Sequence, residues 1–223
     1  MTTTVITEHS ARATRLHPPL LAVTGLTAHA LGRAGVTDVS LDLTSGSIHG
    51  VYAAAGAGAS TLTAVIAGEL VPTAGSIALD GSSAPTPRDL LRGGVTVLRS
   101  RSSLLPGRSI AANIFLGREP RWCGLVDLET MRADAAATLS ALGASLDLDA
   151  RVALLSRSEQ RLVELARAFA SDARLVVVDD TRTEPDAALS PALAALAANG
   201  AAVLRISADI AELVAGSHSV SSI

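Results

Sequence analysis

The chain has 223 residues, enough for one domain with a full core. Its 48% hydrophobic and 17% charged content excludes a disordered chain, and a net charge of −3 argues against a nucleic-acid binder. Aromatic residues are only 2%, so the core must be built from Ala, Val, Leu and Ile. The single cysteine, Cys123, permits no intrachain disulfide, which fits a reducing compartment; an inert thiol is the expectation for it. All 18 basic residues are arginine.

Residues 1–19 contain Thr, Arg and His, end in Pro18-Pro19 and lack a long apolar stretch, so a disordered tail is expected rather than a secretory leader. No apolar run reaches the roughly 18 residues of a membrane span. A short strand is expected over 20–23, punctuated by Gly25. Residues 36–43 alternate apolar and polar, the pattern of a half-buried strand. A turn at 44–47 leads to a strand over 48–52.

That strand feeds Ala53-Ala54-Ala55-Gly56-Ala57-Gly58-Ala59-Ser60-Thr61, and a helix is expected over 60–70. Successive backbone N–H groups in such a loop make a concave anion site, and the helix N-terminus adds partial positive charge. Gly56 and Gly58 allow a phosphate to approach the backbone closely. This is the layout of a P-loop with one defect: the pattern needs Gly-Lys-Ser/Thr, and here it is Gly58-Ala59-Ser60. A tight strand–helix turn is the plainer reading. A dinucleotide site is a further one, with Asp80 at a strand end about 20 residues on, although its third glycine would be Thr61.

Next come an expected strand over 76–80, a short helix over 87–91 and a strand over 95–98. A polar connection over 99–107 follows, in which Arg99, Arg101 and Arg108 form either an anion patch or a solvated loop. Helices are expected over 109–116, with Ser109 as N-cap, and over 128–142. Trp122 is expected to pack, or to contact a membrane partner. Ser156 and Glu159 make a capping-box pattern opening a helix to 170, with Leu162, Leu165, Ala166 and Phe169 on one face. Residues 175–178 are continuously apolar, as in a strand buried on both faces of a parallel sheet, and end in Asp179-Asp180. A helix over 187–198, a buried strand over 201–206 and a last helix capped by Ser207 complete the order. The five histidines show no metal spacing.

Taken together, the stretches VTDVSLDLTSGSIHGV, AGELVPTAGSIALDG, SIAANIFLGREP, DARVALLS and VELARAFASDARLVVVDD resemble an ATP-binding cassette subunit. The resemblance is specifically to the first cassette of the tandem ATPases of bacterial sugar importers, and it covers about residues 20–214. It implies an α/β P-loop NTPase fold of the ABC type. A parallel-sheet core would carry an N-terminal antiparallel β subdomain and a helical subdomain over about 99–170. The domain would fill 20–223, truncated at its C-terminus relative to the family, without its C-terminal strands or a second cassette.

The resemblance also implies site roles. Gly56, Ala57, Gly58, Ala59, Ser60 and Thr61 take the nucleotide-binding positions, with Ala59 where the family has lysine. Ser60 and Asp179 take the Mg positions, and Asp180 that of the general base. Ala30 stands where an aromatic stacks on adenine, a loss of about 1–3 kcal/mol by analogy with base–aromatic platforms. Ser100 stands opposite a glutamine, and Ala208 opposite the switch histidine. The signature loop is Leu155-Ser156-Arg157-Ser158-Glu159, in which only Leu155 and Ser156 match; Arg157 and Ser158 replace glycines, and Glu159 adds negative charge. Thr181-Arg182 replaces the usual Pro-Thr. Phosphoryl transfer in this class is mostly positioning and electrostatic stabilisation, and losing one such group costs on the order of 10²–10³ in rate.

The expectation is therefore a pseudo-ATPase of the sugar-importer type that binds ATP and Mg weakly or not at all. It would be cytoplasmic and peripheral to the membrane. Its partners would be a transmembrane permease, a second ATP-binding subunit and, indirectly, a sugar-binding protein. One alternative is a genuine slow ATPase with Asp180 as base; another is a nucleotide-independent small-molecule binding module.

Overall fold

The structure is a computed structural model that describes residues 18–29, 34–83, 86–181, 186 and 189–223. Residues 1–17 of the tail expected over 1–19, Ala30 and Arg182 lie outside the described residues.

In chain order the first elements are β1 (Leu21–Ala28), β2 (Val36–Leu43), β3 (Ile48–Tyr52), α1 (Ala59–Ile66), β4 (Ala74–Leu79), β5 (Ser82–Ser83), α2 (Pro87–Arg92) and β6 (Val95–Leu98). A helical block follows: α3 (Ile110–Ile114), the hairpin β7 (Arg121–Trp122) and β8 (Leu125–Val126), α4 (Leu128–Ala141), a 3₁₀ turn (Val152–Leu154) and α5 (Arg157–Ala170). The chain returns to the core with β9 (Leu175–Asp179), α6 (Leu189–Ala198), β10 (Ala202–Ser207), α7 (Ile210–Gly216) and β11 (Ser219–Ser222).

Two main sheets result. An antiparallel sheet has the order β2-β1-β4-β5, and a parallel sheet the order β11-β3-β10-β9-β6. Side chains alternate across a strand, so the parallel sheet serves two cores. Val176 and Val178 pack with α3, α4, α5 and α6, while Leu175 and Val177 pack with α1 and the antiparallel sheet. β9 and β10 are buried along their whole length, as strands between two covering layers are. The parallel core, β subdomain and helical block expected from the sequence are all present.

Several boundaries differ. β1 runs on to Ala28 because Gly25, at φ 57, absorbs a register shift instead of ending the strand. α1 stops at Ile66, short of 70, because Gly68 turns left-handed at φ 72. Its added Cβ would lie 3.0 Å from the Pro87 backbone. α7 is capped by Asp209, which accepts from the N–H groups of Ala211 and Glu212, not by Ser207. Ser207 is the last residue of β10, paired with Tyr52, and so is held extended. β11 is a strand the sequence reading did not contain. The hairpin β7–β8 was likewise unforeseen, and its Trp122 is 55% exposed, which corrects the packing expectation.

Candidate functional site

The ends of β3, β10 and β9 lie side by side, since Ser207 pairs with Tyr52 and Ile206 with Asp179. A crevice outside the carboxyl ends of parallel strands is where open α/β sheets take ligands. From β3 the chain enters the loop at 53–58. Ala53 N–H donates to the Ser207 carbonyl at 3.0 Å and Ala57 N–H to the Ala54 carbonyl at 2.9 Å. Gly56 (φ 83) and Gly58 (φ 92) are both left-handed. A Cβ on Gly58 would lie 2.4 Å from the Gly35 carbonyl, whereas one on Gly56 meets nothing within 4 Å. The loop is thus seated against the β subdomain at Gly58 and open at Gly56.

Ala59 begins α1 and is buried, without a charged group to offer. Ser60 is half-buried beside it. Thr61 is fully buried, and its Oγ1 donates to the Ala34 carbonyl at 2.6 Å, fixing α1 to the chain before β2.

Across the sheet, Asp179 ends β9 with 5% exposure. Its Oδ1 accepts from Thr181 N–H at 3.2 Å and Thr181 Oγ1 at 2.7 Å. Asp180 follows, equally buried. Its Oδ1 accepts from Arg161 Nη2 at 2.8 Å, and its Oδ2 lies 3.4 Å from Arg205 Nε. Among the described residues, no three His, Cys, Asp or Glu side chains cluster as a metal site.

Ser100 lies just past β6, and its carbonyl accepts from Arg157 Nη2 at 2.5 Å. Arg161 also donates to the Arg99 carbonyl at 2.7 Å and the Asp179 carbonyl at 2.9 Å. Glu164 receives Ser102 Oγ at 3.0 Å and Ser103 N–H at 2.8 Å. One face of α5 therefore holds the loop after β6. A cavity of about 40 Å³, room for about one water, lies between them, lined by Arg99, Ser100, Arg157, Gln160, Arg161 and Glu164. Of the arginines considered as an anion patch, Arg99 is paired with Glu69 at 2.6 Å.

Leu155 is half-buried and Ser156 is the N-cap of α5. The capping box forms as expected: Glu159 N–H donates to Ser156 Oγ, and Glu159 Oε2 accepts from Ser156 N–H at 2.8 Å and its hydroxyl at 2.7 Å. The Ser156 hydroxyl, and then its N–H, hold the Glu159 carboxyl below its usual range. The negative charge of Glu159 is therefore turned back on the helix end. Arg157 is exposed, Ser158 half-buried and Ala208, just past β10, exposed. Asp80, the ribose-binding candidate, instead pairs at the surface with Arg174 at 3.0 Å.

The structure brings together the loop after β6, α5 and the end of β9. Among the described residues, no hydrogen bond or ion pair joins 155–159 to the loop at 56–61. The sequence reading missed Arg161, Glu164 and Arg205. The available signal was Arg205 itself: a charge within the apolar run Ala-Val-Leu-Arg-Ile demands a buried carboxylate.

A family profile described as ABC transporter matches residues 36–183. The Ribose import ATP-binding protein RbsA of Chelativorans sp. (strain BNC1) is 34% identical over 206 residues, covering 85% of this chain and 39% of that protein. Ribose import ATP-binding protein RbsA 2 of Streptomyces avermitilis is 37% identical over 208 residues, covering 87% and 40%. The chain thus spans about two fifths of these relatives' length. Among solved structures, a nucleotide-free ATP-binding cassette from an ABC transporter superposes with a TM-score of 0.75 at 18% identity, over 92% of this chain and 87% of that one. With the P-loop position, the acid-ended β9 and the helical block all in the family's order, the chain belongs to the ABC transporter family and has the fold of its ATP-binding cassettes.

Proposed function

We propose that this chain is a cassette subunit of a sugar-import assembly that binds Mg-ATP weakly and hydrolyses it negligibly. The observation that carries this reading is the loop at 53–60: both left-handed glycines are kept, and the charged group is replaced by buried Ala59. The residues fit the ligand in part. Open space above Gly56 suits a phosphate, and Ser60 and Asp179 offer the oxygen donors that Mg prefers. Mg-ATP, when bound, supplies the transferable phosphoryl group; no lysine of this chain neutralises it.

The similarity to ribose import proteins supports a sugar-import setting at the inner face of the cell membrane. There the chain would act as a binding or regulatory partner of a transmembrane permease and a competent second ATP-binding subunit, with a sugar-binding protein as an indirect partner. Among the described residues no helix is long and apolar enough to cross a membrane. Calorimetry with Mg-ATP tests the proposal. Dissociation in about the millimolar range, weakened further by Asp179→Ala, is expected, with phosphate release by the purified chain at background. Turnover at about 1 s⁻¹ or above, within the ordinary enzyme range, would overturn it.

A further inference from the structure

A buried chain of charges crosses the molecule behind the strand ends. Glu164 Oε2 pairs with Arg161 Nη1 at 3.1 Å. Arg161 Nη2 pairs with Asp180 Oδ1 at 2.8 Å, and Asp180 Oδ2 faces Arg205 Nε at 3.4 Å. Arg205 Nη1 reaches Ser190 Oγ at 3.4 Å, and its Nη2 bonds the Glu212 carboxylate. Four of the five charged side chains are at most 7% exposed, and Glu212 is 12% exposed. The chain joins α5, the end of β9, the middle of β10 and α7.

The alternation of β10 explains why it exists. Val203 packs into the core beneath the helical block, and Arg205, two residues on, lies on the same face of the strand. A guanidinium cannot lie there unpaired. Asp180 and Glu212 are the carboxylates beside it.

We infer that Asp180 is the central counter-ion of a buried electrostatic joint that fixes helix α5 to the sheet, and is withdrawn from proton chemistry. A base must present an oxygen to a water or substrate proton. Both oxygens of Asp180 instead face guanidinium nitrogens, in a side chain 5% exposed. Arg161 adds direct fastening, since the same guanidinium holds the Arg99 and Asp179 carbonyls. The assignment concerns the folded chain and does not depend on whether nucleotide binds.

Urea unfolding of the full chain tests it through a double-mutant cycle on Asp180→Asn and Arg205→Met. Each single change removes at least one charge-assisted link, while Arg161 keeps Glu164 in both variants, Arg205 keeps Glu212 in the first and Asp180 keeps Arg161 in the second, and is expected to lower the folding equilibrium constant roughly 10–10²-fold. The double variant should be more stable than the two losses predict, with coupling of about tenfold or more. Unchanged unfolding of Asp180→Asn, or additivity within about twofold, would overturn the inference. Should these variants not fold, the cycle uses Asp180→Glu with Arg205→Lys, which keep the charges and alter the reach; the same coupling criterion applies. Amide exchange supplies a second reading. Arg205→Met, or Arg205→Lys in that case, should speed exchange in α5, two links away. Faster exchange confined to β10 and α7 would show that no joint exists.

Discussion

Arg157 and Ser100, 57 residues apart in sequence, are bonded: the guanidinium of the first donates to the carbonyl of the second at 2.5 Å. Arg157 opens α5, and the proposed correspondence with the family would set it at a signature-loop glycine and Ser100 at a glutamine. The bond ties the N-terminus of α5 to the loop after β6. A charge-assisted bond of this kind is about twice as strong as a neutral one.

Arg157→Ala should therefore loosen the loop more than it destabilises the fold. Arg157 is exposed, so the expected loss of stability is about 0.5–1.5 kcal/mol by urea titration. Cleavage by trypsin after Arg101 and Arg108, both exposed, should become measurably faster. Equal proteolysis rates in variant and parent would refute the tie.

On the proposed reading, Ala59→Lys would supply the charge that the loop after β3 lacks. A charge-assisted hydrogen bond contributes about 1.5–3 kcal/mol, so Mg-ATP affinity should rise by about 10–100-fold in calorimetry. On the same reading turnover should stay low, because Ser100, Arg157, Ser158 and Ala208 would still lack the family's groups. A large gain in phosphate release from this change alone would favour the slow-ATPase alternative.

The two loop glycines differ in a way that substitution can separate. Gly56→Ala incurs only left-handed backbone strain, about 1–2 kcal/mol, since open space lies above it. Gly58→Ala adds a clash at 2.4 Å with the Gly35 carbonyl, part of the backbone, and the loop must shift. Thermal unfolding should rank Gly58→Ala clearly below Gly56→Ala; equal midpoints would show that the β subdomain does not seat the loop.

A pH dependence follows from His49 on β3. Its Nδ1 lies 2.6 Å from Ser219 Oγ and its Nε2 3.0 Å from Ser221 Oγ, both on β11. Burial pushes the imidazole below its usual value, so the unfolded chain binds the proton more readily. Stability from this group is complete above about pH 6.5. It declines as pH falls below that value, until the lowered folded-state value is passed, with a slope of at most about 1.4 kcal/mol per pH unit. His49→Gln should flatten the urea-midpoint profile just below about pH 6.5. An unaltered profile would show that His49 does not contribute.

Some elements were legible because a local rule was enough. The apolar run of β9 has no use except between two covering layers, and Ser156 with Glu159 completes a cap within four residues. The hairpin at 121–126 escaped because its strands are two residues long and its turn places Cys123 at φ 51 beside Gly124. Ser207 and Asp209 were competing caps two residues apart; pairing of Ser207 with Tyr52, distant in sequence, decided between them.

By itself, then, the sequence determined the order of the core strands and helices, apart from β11 and the short hairpin, the position of the glycine loop after β3 and the absence of a lysine from it. Each is written in neighbouring residues, through side-chain periodicity and turn chemistry. Only the tertiary structure decided what Asp180 faces. Arg161, Asp180 and Arg205 are separated by 19 and 25 residues, and they meet because β9 and β10 pair in one register beneath α5. A buried charge takes its role from whichever opposite charge the fold brings within reach, because the low-dielectric interior makes an unpaired one too costly.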